Sequence, residues 1–445
     1  MQFKMGQCSL GRSNGFKAVA VLALIWAGTS QAVSEYFSIS KSTRALGMGG
    51  AFYGLSDDEM ALFYNPAGLS LYENGADLMG AFRIDGSTSA ASAVSTILDG
   101  KGTSVGALAS KLEKFQGKPI SAQVAPAFPY YLRRGLAVGL LLGDVKLNAT
   151  VAGAGIDTSL DVTAIADSGL FIGFAGSLFT PKLHLGMNLK GMVRGGGRKT
   201  YSVVELASGK SLQLDVDQIG GAGFGIDADV GAIYEMPTIL EGVKTYGAVT
   251  INNILATSFD LAKITTGPLT APQLPRMLSL SGRAVFPGFW RVDKVNAVVD
   301  LAEFSIGGQS DPNFGARTGS MWKHVNLGVE LPMRWFTLRT GFRQGNITAG
   351  FGIDARFFQF DFATYAEELA ANPGRMTSRR VALRLAMGFG GAKPTVEPLR
   401  KDEKREKPAV EPEKIEKPSV EKPAENALGT SPAPVSAPAD KGVTQ

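Results

Sequence analysis

The sequence predicts an all-β protein: a transmembrane antiparallel β-barrel with an N-terminal plug ahead of it and a low-complexity tail behind it. Three observations carry that reading. The chain opens on a secretory signal. Beyond it, strand-length segments with period-two alternation recur up to about residue 390. No apolar stretch past the signal reaches the roughly 18–20 residues that a membrane-spanning helix needs. A chain that enters lipid without such a helix does so as a closed barrel, because only helices and closed barrels satisfy their own backbone there.

Residues 1–32 read as a signal peptide. Lys4, Arg12 and Lys17 form a positive start, and Ala18–Ala27 is a continuous apolar run. Ser30-Gln31-Ala32 places small residues where a signal peptidase reads, so cleavage is expected after Ala32. The run is too short for a spanning anchor. The one cysteine, Cys8, precedes the apolar run and so forms no lipobox; the exported chain would carry none. That excludes disulfide scaffolds, thiol catalysis and cysteine-ligated metal. With His184 and His324 as the only histidines, no zinc site is expected. The net charge of +5 comes without a basic patch, so nucleic acid is not an expected partner. No cofactor is implied, and no Ser/His/Asp arrangement or carboxylate pair calls for a catalytic explanation.

Residues 33–77 form the plug region. Its glycine run, with Gly47, Gly49 and Gly50, fails the dinucleotide-binding spacing: Gly47-Met48-Gly49 would need glycine at position 52, which is Phe52. The glycines suit close backbone packing inside a crowded lumen, or positive φ. Asp57-Asp58-Glu59 lacks a calcium-loop spacing. Ser56, Asp57 or Asp58 is better read as the cap of a short helix through Met60-Ala61-Leu62-Phe63. In Asn65-Pro66-Ala67-Gly68-Leu69, Pro66 holds Asn65 out of the helical region and Asn65 bonds backbone two residues on, which makes a rigid turn.

Residues 76–390 carry the strands. In the last, Val381, Leu383, Leu385, Met387 and Phe389 share one face, with Ala382, Arg384, Ala386 and Gly388 on the other. A second sets Phe224, Ile226, Val230 and Tyr234 against Gly223, Gly225, Asp227, Asp229 and Gly231. Others are expected at 76–84, 135–151, 168–178, 183–193, 244–254, 277–286, 290–300, 323–331, 334–342, 346–354 and 358–363. Bulky groups on one face with small or polar groups on the other is the pattern of lipid outside and a polar or narrow lumen inside. Tyr130, Tyr131, Tyr234, Tyr246, Trp290, Trp335 and Tyr365 are candidates for two interfacial girdles. In strand 135–151 the bulky residues switch phase, from Leu136, Val138, Leu140 and Leu142 to Val145, Leu147, Ala149 and Val151. The switch falls at Gly143-Asp144 and implies a β-bulge, or a strand leaving the membrane. Val105, Leu108, Leu112 and Phe115 recur at helical spacing between the first and second strands. They mark a short amphipathic helix in an extracellular loop, either a cap over the barrel mouth or a surface that first captures an apolar ligand.

Residues 391–445 shift to Lys, Glu, Pro, Ala and Val, with no aromatic, as in Glu416-Lys417-Pro418-Ser419-Val420-Glu421-Lys422-Pro423. Such a segment buries no core and is expected to be disordered, with polyproline-like stretches. Extended at about 3.1 Å per residue, it would reach on the order of 150 Å. It is either a solvated tether or an arm that meets peptidoglycan or an inner-membrane partner.

The arrangement resembles the FadL-type outer-membrane transport proteins. Asn65-Pro66-Ala67 matches their hatch motif, and 33–77 matches the hatch in length and position. Arg44-Ala45-Leu46-Gly47-Met48-Gly49-Gly50-Ala51 and the run Phe342–Gly352 look closer to the PorV-like and TraF-like branches of that superfamily. The tail after Gly391 departs from the fatty-acid transporters. The resemblance implies a barrel of about 14 strands in the outer membrane, both termini periplasmic, with a hatch in the lumen. It implies passive, hatch-gated uptake of hydrophobic small molecules, fatty-acid-like or hydrocarbon, bound in an apolar lumen pocket. In those transporters a kink in the third strand opens the wall sideways; Gly143-Asp144, on the third strand here, is the corresponding candidate. The PorV-like likeness implies the alternative, a scaffold or secretion component acting through protein partners.

Overall fold

The computed structural model describes residues 37–390 except 74, 100–103, 209–219, 239, 267–268, 308–319, 356 and 371. The expected signal peptide with its cleavage site, and the expected tail, lie outside the described residues.

The sheet holds fifteen strands, of which one is the two-residue piece Ala262–Lys263 at the edge of a longer neighbour; the other fourteen form the ring. In chain order they are β1 (Ala76–Ser87), β2 (Ile120–Arg133), β3 (Leu136–Ala152), β4 (Ser159–Ser177), β5 (Leu183–Ser202), β6 (Gly220–Glu235), β7 (Lys244–Asn252), β8 (Met277–Phe289), β9 (Val292–Ser305), β10 (Val325–Met333), β11 (Phe336–Arg343), β12 (Asn346–Ala355), β13 (Phe358–Glu368) and β14 (Thr377–Phe389). Each pairs antiparallel with its neighbour. The ring closes where β1 meets β14, from Leu78 opposite Phe389 to Ser87 opposite Arg380. An even strand number returns both barrel ends to one rim, the terminal rim. Its turns are short, as at Arg134-Gly135, Trp290-Arg291 and Arg334-Trp335. The opposite loop rim carries the long connections 88–119, 253–276 and 306–324. Among the described residues no helix is long and apolar enough to cross a membrane.

The alternation sets the two faces. Leu78, Phe82 and Ile84 of β1 and Leu383, Met387 and Phe389 of β14 are exposed on the outside, while Arg83, Asp85, Arg380 and Arg384 are buried within. A barrel that is apolar outside and charged inside is built for lipid around it, not water. Three expectations need correction. β4 and β5 run to 19 and 20 residues, well past the 168–178 and 183–193 read from alternation; the β5 extension runs through Gly195-Gly196-Gly197, and the β4 extension pairs with it, with Leu160 and Val162 outward. Tyr130 and Tyr365 are fully buried and point into the lumen, and Tyr246 lies against the Arg283 guanidinium; Tyr131, Tyr234, Trp290 and Trp335 do face outward. Connection 88–119 contains an unexpected helix, Ala90–Asp99, before the expected one at Val105–Leu112, which Ser104 caps. The buried stripe Leu108, Leu112 and Phe115 packs with Ile120, Val151, Leu160, Val162 and Tyr201. By register these belong to the outward-facing phase of the β2–β5 extensions. The helix is therefore seated on the flank of the wall, not over the mouth.

Candidate functional site

The lumen is filled by residues 37–72. This segment has little regular structure: a five-residue α-helix, Thr43–Gly47, and two 3-10 turns, Glu59–Leu62 and Pro66–Leu71. Each is opened by a capping side chain, Ser42, Asp58 and Asn65 in turn. A chain so irregular leaves many backbone groups to be satisfied. Wall side chains do it. Asp300 accepts from the N–H groups of Phe52 and Tyr53 at 2.6 and 3.0 Å. Asn188 and Asn252 donate to the carbonyls of Leu62 and Tyr64 at 2.7 and 3.1 Å. Lys146 donates to the Ile39 carbonyl at 2.7 Å.

The two sequence motifs dock on opposite sides through glycines of the wall. Gly49 and Gly50 adopt φ of +69° and +80°, and a Cβ on Gly49 would lie 2.5 Å from the Leu327 carbonyl oxygen. Facing them, a Cβ on Gly341 would lie 2.3 Å from the Met48 carbonyl carbon, and one on Gly350 3.0 Å from the Cα of Gly47. Asn65-Pro66-Ala67 meets Gly186 and Gly231, which are cross-strand partners on β5 and β6. A Cβ on Gly186 would lie 2.3 Å from the Ala67 nitrogen, and one on Gly231 1.9 Å from Asn65 Oδ1. The Asn65 side chain accepts from Ala67 N at 3.1 Å and donates to the Tyr53 carbonyl at 3.0 Å. The motif is thus a rigid turn pressed directly on barrel backbone.

Ion pairs join plug to wall. Arg44 forks onto Glu330 at 2.7 and 2.8 Å and also reaches Asp57 and Asp58 at 2.7 and 2.9 Å. Glu59 pairs with Arg384 at 2.5 Å, and Lys41 with Glu367 at 3.4 Å. Burial, opposed by the Arg384 guanidinium, pushes the Glu59 carboxyl from its ordinary 4.5 up to about 7. A carboxyl raised on folding lets the folded chain hold a proton the unfolded chain has lost. Its contribution to stability is therefore largest below pH 4.5 and falls as pH rises toward about 7. Across that window the thermal midpoint in detergent is expected to fall more steeply for the native chain than for Glu59→Gln; equal slopes would count against this assignment.

A cavity of about 260 Å³ opens between the plug and the terminal half of the wall. Its lining includes Arg44, Asp57, Glu59, Arg339, Asp361 and Arg384. This corrects the expected apolar lumen pocket: inward wall positions carry charges that the plug must neutralise. One apolar cluster in the lumen packs Leu62, Leu69, Phe128, Leu141 and Phe171, with Phe63 against it; a second gathers Met48, Phe52, Leu55, Met60 and Val298. Among the described residues no group of three or more His, Cys, Asp or Glu side chains is placed to hold a metal ion.

The first of these clusters lies behind an irregular part of the wall. β3 bulges between Leu141 and Asp144 relative to β4, with Gly143 at φ +68° and its N–H donating to the Ser168 hydroxyl at 2.9 Å. β2 bulges against β1 between Ala81 and Arg83. Between β2 and β3, pairs fall at Val124–Val145, Ala127–Leu142 and Tyr130–Gly139, with Pro126 and Pro129, which have no N–H to give, in the gaps. Asp144 is fully buried and accepts from Gln123 at 2.8 and 3.0 Å. Leu141 therefore belongs to the apolar cluster and Asp144 to the charged network, with the bulge between them.

The glycines that receive the plug and the side chains that bond its backbone were missed from sequence. Gly231 stood on an inward face, but nothing local names Asn65 as its neighbour.

No protein-family model matches this chain, and no curated protein matches it. Among solved structures it is similar to the CymD monoaromatic hydrocarbon channel, at 11% identity and TM-score 0.42 over 80% of this chain and 99% of that one. It is similar to the toluene transporter TodX of Pseudomonas putida, at 10% identity and TM-score 0.41 over 81% and 100%. It is similar to the toluene transporter TbuX of Ralstonia pickettii, at 13% and 0.38 over 80% and 99%. At these scores the likeness assigns neither family nor ligand to this chain.

Proposed function

We propose that the protein is an outer-membrane barrel, both termini periplasmic, that passes small hydrophobic molecules, long-chain fatty-acid-like or hydrocarbon. In this reading the plug gates the lumen and the ligand leaves sideways through the wall beside Gly143 and Asp144. One observation carries it: the interrupted β2–β3 ladder lies in front of the apolar cluster built on Phe63, Phe128 and Phe171. An apolar ligand that displaces Phe63 and Leu62 stays among apolar side chains until it meets lipid, whereas the charged cavity in the terminal half would cost it the desolvation of ion pairs. Asn65, Pro66 and Ala67, with Gly47, Gly49 and Gly50, act here as the hinge points on which the plug is seated.

Ala127 and Leu142 are cross-strand partners in that ladder. Ala127→Cys with Leu142→Cys would bridge it in a chain whose one other cysteine, Cys8, lies in the expected signal peptide. Uptake of labelled oleate or toluene by cells carrying the oxidised variant is expected to fall to that of cells lacking the barrel, and to return on reduction. Unchanged uptake through the bridged wall would overturn the lateral route.

A second reading, a PorV-like scaffold that binds a protein partner, is favoured by the ion-paired plug and the charged cavity at the terminal rim. It expects no uptake at all, and a periplasmic partner that is lost when residues after Gly391 are deleted.

A further inference from the structure

We propose that two adjacent turns of the terminal rim form a phospholipid-headgroup site, with Arg291 and Arg334 on the lipid phosphate and Trp290 and Trp335 at the boundary between headgroup and acyl chain. This goes beyond the transport reading and does not depend on it.

Trp290 and Trp335 sit at the tips of the β8–β9 and β10–β11 hairpins and are 88% and 63% exposed. Each indole has its neighbour's guanidinium stacked on it: Arg291 at 5.3 Å from the Trp290 ring centre and Arg334 at 5.8 Å from that of Trp335. Such a stack holds a guanidinium in place while leaving its N–H edge outward. The two tips lie side by side at one level, because Val292, which follows the first turn, pairs with both Phe289 and Met333. Phe289 and Phe336 extend the apolar surface from the tips onto the wall.

Strand length puts these tips in lipid. β11 has 8 residues and its neighbours β10 and β12 have 9 and 10. Eight residues at about 3.4 Å span roughly 27 Å along the strand, or about 20 Å of membrane thickness at the usual tilt. An outer-membrane barrel presents an apolar band about 25 Å tall. Outward Phe336, Leu338, Leu327 and Ile353 show that the band here occupies the strands from end to end. With no strand to spare, the Arg334-Trp335 turn lies at the headgroup layer, and the register carries Trp290-Arg291 to the same depth. Two cations stacked on indoles at that depth fit an anionic glycerophospholipid: phosphate on the guanidiniums, glycerol and upper acyl chain on the rings. The terminal rim would then face the phospholipid leaflet.

Apart from Trp26, in the expected signal peptide, the tryptophans are Trp290, Trp335 and Trp322, the last beside the loop rim. In a Trp322→Phe background, fluorescence of the folded barrel in detergent reports the two turns alone. Titration with phosphatidylglycerol brominated on its upper acyl chain is expected to quench it saturably. Arg291→Gln with Arg334→Gln is expected to need roughly ten-fold more lipid, with an unchanged thermal midpoint confirming the fold. Inorganic phosphate should not compete. Equal titration curves for the two proteins, loss of quenching on adding phosphate, or quenching by aqueous iodide but not by the lipid would each overturn the proposal.

Discussion

Replacing Gly186 with valine is expected to expel the plug while leaving the wall closed. A Cβ at Gly186 would stand 2.3 Å from the Ala67 nitrogen, 2.4 Å from the Pro66 carbonyl carbon and 2.6 Å from the Pro66 carbonyl oxygen. These are plug backbone atoms, so no side chain can rotate away. Overpacking of a tight interior typically costs about 1–3 kcal/mol, and relief here is simplest by moving the plug, since the strands are held by their ladders. Lys41 and Arg44, both mostly buried, should then become trypsin sites in the folded barrel. Planar-bilayer conductance should rise from near zero to that of an open pore. Gly80→Val and Gly282→Val are the controls, because nothing lies within 4 Å of a Cβ at either. A plug that stays protease-resistant in Gly186→Val would mean that β5 and β6 yield instead.

Arg44→Ala is expected to cost about 3–5 kcal/mol, the range for removing one partner of a buried ion pair. The guanidinium is the common partner of Glu330, Asp57 and Asp58, and it also covers the Phe52 ring at 5.2 Å. Without it, Glu330 keeps Arg339 and Asn296, but Asp57 and Asp58 face each other with that cation gone. Arg44→Lys should recover little, since one ammonium cannot fork onto Glu330 while bonding both aspartates. Chemical unfolding in detergent measures the loss. Adding Asp57→Asn should recover part of it by removing one of the two carboxylates that lose this cation, and strict additivity of the two changes would argue that they do not act as one network.

Much of the wall was legible because its signal is local. In β14 each residue reports its own face, and Val381, Leu383, Leu385, Met387 and Phe389 lie outside as the alternation requires. The phase switch at Gly143 was legible for the same reason: one extra residue turns every following side chain over. The distal half of β5 was not, since Gly195-Gly196-Gly197 offers no faces to compare; that of β4, which pairs with it, does alternate through Leu160 and Val162. Tyr130 and Tyr365 misled because an aromatic near a strand end looks like a girdle wherever it points. In the plug, the caps and the close-packing glycines could be read, but not what they pack against.

Local pattern sufficed to tell outward from inward positions over most of the wall, and to place the bulge in β3 and the turn at Asn65, because each depends on neighbours one to four positions away. What the lumen contains depends on contacts between distant parts of the chain. Closing the ring brings Arg384 to Glu59 across 325 positions and sets Gly231 under Asn65. An inward charge could have faced water or a ligand; that it meets the plug follows from fourteen strands enclosing a space that residues 37–72 fill, and no local pattern carries that volume.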